Sequence, residues 1–411
     1  MLSVSQAQSL VLEHTPRLCP ESAPLTPAAL GFVLAEDVQS DLDMPPYDKA
    51  LMDGFAVRAA DLPEGHGTLT VIEEITAGSM PTRALGPGQA SRIMTGAPLP
   101  AGADAVVMVE RARALDDKRV AIEDRPPRPE QNILRRAREM KRGDTVLPAG
   151  TVLQPQHIGL LATVGRTAAR VYPAPRVAVL PTGDEVVPIS QVPGPGQIRN
   201  SNGPMLLAQI ARAGGTAHSL GIARDCLESL RPLVSEGLRF SMLVLSGGVS
   251  AGKLDLVPGV LQELGVVPHF HKVEMKPGKP MFFGTWNSGE KKNDAAPACL
   301  VFGLPGNPVS SHVCFELFVR PAIRRMRGHI DPGPRLVEAV LAEDFAYKTD
   351  RPTYYPAWLD ATDRGWRVRP VPWFGSPDLR GLAAANAFAF FPPGDHRYQA
   401  GQVCTVLKVE D

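Results

Sequence analysis

Residues 243–255 read LVLSGGVSAGKLD: a short apolar run, a glycine-rich turn carrying two serines, and a carboxylate at the start of a helix-like stretch. A strand feeding such a turn leaves bare backbone N–H groups at a helix N-terminus, where phosphates and other anions bind. The surrounding residues 176–328 repeat the pattern, with β-branched runs alternating with amphipathic helices as in a parallel, doubly wound sheet. RVAVL, TAHSLGI, SMLVLS, VPHFHKV and ACLVFG are its expected strands. Helices are expected over 204–213, 227–238 and 256–264, and a long one from Pro308 with Asn307 as N-cap.

The flanks differ. Residues 3–14 carry apolar positions at helical spacing behind serine caps and predict a first helix. Residues 39–150 turn to short β-rich runs broken by Gly-Pro punctuation, and 331–411 return to strand-like alternation. The fold class is therefore α/β plus β and multidomain: a doubly wound, mostly parallel-sheet domain, an inserted β lid and a C-terminal β domain. At 411 residues and 44% hydrophobic content the chain can hold several cores. Lysine plus arginine equal aspartate plus glutamate at 43 each, so no global field draws it to nucleic acid or an anionic membrane. Cys19, Cys226, Cys299, Cys314 and Cys404 show neither CxxC nor zinc-ligand spacing, which fits a reducing cytoplasm. No apolar stretch approaches the roughly 20 residues of a membrane span.

In an open α/β sheet, ligands bind beyond the C-terminal ends of the strands. RVAVL runs into PTGDE with Gly183, Asp184 and Glu185; TAHSLGI into Asp225; SMLVLS into Ser246, Gly247, Gly248, Ser250 and Asp255. Carboxylates recurring at strand ends suit Mg²⁺ shared with a phosphate, although Asp225 and Asp255 equally suit helix caps. The sequence KPGKP predicts a type II turn whose corners, Lys276 and Lys279, hold their α-carbons within about 7 Å, a spacing suited to a tetrahedral oxyanion. The turn GLPGNP, with Pro305, opens the long helix and adds a positive dipole end. Residues 247–253 also fit GxxxxGK, but the eighth position is Leu254, without the hydroxyl that holds Mg²⁺ in a P-loop.

Together PPYDKALMDGFAV, RIMTGAPLPAGADAVVMVE, PTGDE, GPGQIRNSN, SGGVSAGKLD, KPGKP and GLPGNPVS resemble the molybdopterin molybdenumtransferase family, the bacterial MoeA type and the gephyrin E domain. The resemblance implies a cytoplasmic homodimer with four domains per chain: 1–43 with 149–175, the lid 44–148, the molybdopterin-binding domain 176–330, and 331–411. It implies insertion of molybdate into adenylylated molybdopterin with Mg²⁺-dependent release of AMP, at a site between one subunit's α/β domain and the other's first two domains. By position, Asp225 and Asp255 would handle Mg²⁺ and the adenylyl phosphate, with Glu185 beside them. Ser246, Gly247, Gly248 and Ser250, with Gly183, Asp184 and Pro305, would bind the pterin or its phosphate. Lys276, Lys279 and Ser376 would hold molybdate, and Asp53 and Thr95 of the lid would close the pocket. Contact with the molybdopterin adenylyltransferase and with recipient molybdoenzymes is implied too. An adenylyltransferase-like activity and a non-catalytic scaffold are the rival readings.

The chain departs from the family pattern in places. Leu134, Ala137, Arg138 and Glu139 stand where the family has arginine, glycine, glutamate and aspartate. Ala50, Asn200 and Pro181 also differ. Pro356 occupies the position of an arginine that would help bind molybdate. Proline cannot supply a bidentate guanidinium, so Arg351 swings in, the lysine pair suffices, or the anion specificity has changed.

Overall fold

A computed structural model of the chain describes residues 1–249, 256–287 and 299–409. Ser250 and Asp255, both expected at the site, lie outside the described residues. The chain divides into two compact units, one of Met1–Ala35, Gly150–Gln154 and the residues from Ala168 onward, the other of Glu36–Ala149 with Pro155–Thr167.

A six-stranded sheet organises the first unit, in the order Thr216–Ser219, Arg176–Pro181, Met242–Ser246, Cys299–Leu304, Pro280–Trp286, Val267–Lys272. The first four strands are parallel, and the last two join antiparallel. Alternate side chains feed two cores. Val177, Val179, Met242, Val244, Leu300 and Phe302 pack with Leu206 and Ile210 of helix Asn202–Arg212. Ala178, Leu180, Leu243, Leu245 and Val301 pack with Leu230, Val234, Val257 and Leu261 of helices Leu227–Gly237 and Val257–Glu263. Burial on both faces is why these strands read as unbroken apolar runs.

The strand expected in VPHFHKV forms, but as an antiparallel edge hairpinned to Pro280–Trp286, a strand the sequence reading does not contain. Because Pro280–Trp286 runs against Cys299–Leu304, with Phe282 opposite Gly303, the hairpin's connection lies at the C-terminal edge of the parallel strands. That connection is the lysine loop. Gly278 takes a positive φ of 110°, as the third position of a type II turn requires, and the Lys276–Pro277 bond is cis.

Helix Val4–Glu13 starts in a reciprocal capping box between Ser3 and Gln6 and buries Ala7 and Val11 in the first core. The long helix expected from Pro308 forms in three segments: Pro308–Cys314, a π turn at Phe315–Val319, and Arg320–Met326. The π turn holds Glu316, which is 1% exposed and accepts hydrogen bonds from Arg212 (2.7 Å), Gln209 (3.0 Å) and Arg320 (3.0 Å).

The C-terminal strands close into a barrel in the order Leu336–Leu341, Gly365–Pro370, Thr353–Thr362, Ala387–Phe391, Val403–Lys408, filled by Leu341, Leu359, Val368, Phe391 and Val406. The second unit is built on a six-stranded sheet in the order Ala105–Met108, Gly54–Val57, Gln89–Ile93, His66–Ile75, Arg119–Glu123, Ala112–Asp116. A Cβ at Gly54 would overlap the Val107 carbonyl, so only glycine lets these strands approach after Asp53. All five cysteines are free, and among the described residues no helix is long and apolar enough to cross a membrane.

Candidate active site

Backbone hydrogen bonds staple the strand-end loops of the α/β sheet together. Thr182 N donates to Ser246 O (2.9 Å), Gly183 N to Ala223 O (3.1 Å) and Gly247 N to Leu304 O (3.1 Å). Gly247 and Gly248 both hold positive φ, 96° and 65°, and a Cβ there would meet Thr182 O at 2.5 Å or Thr182 Oγ1 at 2.7 Å. The turn thus needs glycine for its conformation and for its close approach to the neighbouring loop. Asn202 Nδ2 donates to Ser246 Oγ (2.8 Å) and to Gly306 O (2.7 Å), and Ser311 Oγ to Pro305 O (2.5 Å). The result is a cavity of about 590 Å³ whose lining includes Glu185, Asn202, Ser246, Gly247, Gly248 and Pro305. Thr182 Oγ1 and Asn202 Oδ1 are buried there with no partner among the described residues, a cost that a polar ligand or water would relieve.

Asp184 and Asp225 lie on adjacent loops, not in that lining: Asp225 N donates to Asp184 Oδ1 (3.2 Å), and Arg224 Nη1 to Asp184 O (2.7 Å). The following helix takes Cys226 as its N-cap, so Asp225 precedes the cap position. Among the described residues no cluster of three or more His, Cys, Asp or Glu side chains is placed to hold a metal. The expected Mg²⁺ pair is half outside those residues, since Asp255 is not described.

A second cavity, of about 430 Å³, opens at the lysine loop. Its lining includes Lys276, Lys279, Ser310, Arg351, Tyr355 and Ser376, and it shares Pro280, Pro305 and Asn307 with the first. The barrel supplies its far wall. Lys276 N donates to Pro352 O and Tyr354 N to Lys276 O, both at 2.8 Å, which pins the loop to the start of strand Thr353–Thr362. Asn307 Nδ2 donates to Ser376 Oγ (2.8 Å) instead of capping its own helix. Lys276 Nζ lies 5.6 Å from the centre of the Tyr347 ring, and Tyr355 meets Trp373 edge-on at 5.0 Å. Burial, reinforced by Tyr347, pushes the Tyr355 phenol up, so it stays neutral. Beneath the loop, burial likewise raises the Cys314 thiol, so it too stays neutral.

In the second unit, Thr95 donates to Asp53 Oδ1 through both its backbone N–H and its hydroxyl, each at 2.7 Å. The backbone bond first, then the hydroxyl, holds the Asp53 carboxyl below its ordinary value of 3.8. A depressed carboxylate adds stability above its unfolded pKa and loses it as pH falls through the folded value. Thr95→Val should therefore raise the Asp53 midpoint in an NMR titration without fully restoring it, because the backbone donor remains. An unchanged midpoint would show that the hydroxyl bond does not form in solution.

The expected residues thus fall into groups. Glu185, Ser246, Gly247, Gly248 and Pro305 share one cavity; Lys276, Lys279, Pro305 and Ser376 share the next. Gly183, Asp184 and Asp225 stand beside the first, and Asp53 pairs with Thr95 in the other unit. Sequence reasoning missed Asn202, Asn307, Tyr355 and Trp373 as site residues. Asn202 could have been found within GPGQIRNSN and Asn307 within GLPGNP; nothing local marks Tyr355 or Trp373 for a role in the site.

Residues 2–165 match the MoeA N-terminal region (domain I and II), 178–325 a probable molybdopterin binding domain, and 338–409 the MoeA C-terminal region (domain IV). The chain is 34% identical over 387 residues to a Staphylococcus aureus protein named molybdopterin molybdenumtransferase, covering 93% of this chain and 90% of that one. A Bacillus subtilis protein of the same name is 35% identical over 390 residues, covering 93% and 88%. A solved molybdopterin biosynthesis MoeA protein from Pyrococcus horikoshii superposes with a TM-score of 0.81 at 31% identity, covering 100% of both chains.

Proposed function

The chain belongs to the molybdopterin molybdenumtransferase (MoeA) family and is an enzyme of molybdenum cofactor biosynthesis, and on that premise we propose that it inserts molybdate into adenylylated molybdopterin with Mg²⁺-dependent release of AMP. One observation carries this reading: a glycine-turn cavity suited to a phosphate and a cationic cavity suited to an oxyanion share the rim of Pro280, Pro305 and Asn307.

In this reading Ser246, Gly247 and Gly248 hold the pterin phosphate, with the unpaired Asn202 and Thr182 oxygens taking up donors. Lys276 and Lys279 neutralise molybdate and hold it beside the substrate, and Ser376, oriented by Asn307, donates to it. Their contribution is positioning and charge stabilisation. Glu185, Asp225 and Asp255 are hard oxygen donors of the kind Mg²⁺ takes, and the ion would supply positive charge at the adenylyl phosphate. The proposal includes the four-domain division given above and a homodimer in which Asp53 and Thr95 of a second subunit's lid close the site. Contact with the molybdopterin adenylyltransferase and recipient molybdoenzymes belongs to it as well.

The purified protein, incubated with adenylylated molybdopterin, Mg²⁺ and molybdate, should release AMP in proportion to molybdate. AMP release that ignores molybdate, or none, would overturn the reading.

A further inference from the structure

We propose that His271, on the edge strand of the α/β sheet, is a positioning residue that clamps the exit of the glycine turn and so sets the turn's grip on the adenylylated pterin. The inference rests on the function proposed above and adds a residue that lines neither cavity.

His271 Nε2 lies 2.7 Å from the carbonyl oxygen of Val249, the residue that follows Gly247 and Gly248. A carbonyl only accepts, so Nε2 carries the proton and the ring is the donor. The bond spans two strands: His271 belongs to Val267–Lys272 and Val249 follows Met242–Ser246, with Pro280–Trp286 and Cys299–Leu304 between them in the sheet. Two features of the sheet make that reach possible. The pairing of Val267–Lys272 with Pro280–Trp286 shifts register between Phe270 and Lys272, the place of His271, and such irregularities re-aim a side chain. Gly303 lies opposite both Leu245 and Phe282, and a Cβ there would meet Val249 Cγ1 at 2.6 Å. Glycine thus opens the notch in which Val249 sits, 1% exposed. The His271 ring meets Phe282 edge-on at 5.8 Å. The turn is therefore tied at its entry by Gly247 N donating to Leu304 O (3.1 Å) and at its exit by His271 and the Gly303 notch. Gly247 and Gly248 both hold positive φ and have backbone freedom that other residues lack. Without the second tie, that freedom lets the turn leave the geometry a bound phosphate needs.

Binding of adenylylated molybdopterin to the full chain, measured beside the KM values of AMP release, tests the clamp. His271→Leu keeps apolar bulk but leaves the carbonyl of a buried residue without its donor. It should weaken pterin binding by about 5- to 50-fold and raise KM for the pterin likewise. KM for molybdate should stay within about twofold, because the lysine loop keeps its bonds to Pro352 and Tyr354. His271→Gln, which retains an N–H donor, should recover most of the loss, and Gly303→Ala, which closes the notch, should lose binding as His271→Leu does. Long-range proton–nitrogen NMR spectra of the parent should show His271 as the Nε2–H tautomer. Pterin binding by His271→Leu within about twofold of the parent, equal losses in the leucine and glutamine variants, or a matching rise in both KM values would overturn the assignment. An Nδ1–H tautomer in the parent would overturn it as well. No pterin binding by the parent would overturn it together with the proposed reaction. Binding that depends on His271, in a parent that releases no AMP, would refute the reaction while upholding the clamp.

Discussion

Replacing Lys276 and Lys279 together by alanine lowers kcat/KM for molybdate by about 10²–10⁴. Each lysine forms a charge-assisted contact of roughly 1.5–3 kcal/mol, and each 1.4 kcal/mol is about tenfold. The two side chains line the 430 Å³ cavity, while the hairpin that carries them is held by backbone bonds the substitution keeps. Binding of the adenylylated pterin should change little, since the glycine turn lines the neighbouring cavity. Steady-state AMP release at varied molybdate measures the effect. Turnover within about threefold of the parent would mean the anion is held elsewhere.

Glu316→Ala should destabilise the first unit by about 3–5 kcal/mol, the cost of removing one partner from a buried ion pair. The carboxylate is 1% exposed and receives Arg212, Gln209 and Arg320, whose own side chain is 7% exposed. Its loss leaves the Arg320 guanidinium without its carboxylate in the main core, with Val409 O (3.0 Å) among its remaining acceptors. Hydrogen exchange in strand Cys299–Leu304, followed in urea, reports the stability of this unit. A loss below about 1 kcal/mol would show that the core absorbs the change. The helical run anchored by this network has Asn307 as its N-cap, on the rim shared by both cavities, so its loosening should reach the site.

What can be read from the sequence follows from burial. Arg176–Pro181, Met242–Ser246 and Cys299–Leu304 are covered on both faces and announce themselves as apolar runs. Pro280–Trp286 is as apolar but follows directly on the lysine loop, and its antiparallel pairing depends on a partner beyond it in the chain. The glycine turn is legible because glycine spacing and strand ends are local features. Asn202, which bridges to Ser246 and Gly306, and Asn307, which reaches Ser376, act across distances in the chain that no local pattern encodes. Barrel closure brings Tyr355 and Trp373 to the lysines, and sequence alternation predicts strands without saying how they close. Asp53 and Thr95 read locally as turn residues, and only the family resemblance singles them out ahead of their paired hydrogen bonds.

The central claim is that the glycine turn and the lysine loop build one continuous nucleotide-and-metalate site. Crystals of the protein with adenylylated molybdopterin and molybdate, with the metal located by its anomalous signal, test it most directly. The account predicts a molybdenum peak among Lys276, Lys279 and Ser376 and a pterin phosphate on Gly247 and Gly248, on either side of Pro305 and Asn307. A metalate bound away from the lysine loop, or a pterin bound away from the glycine turn, would contradict it.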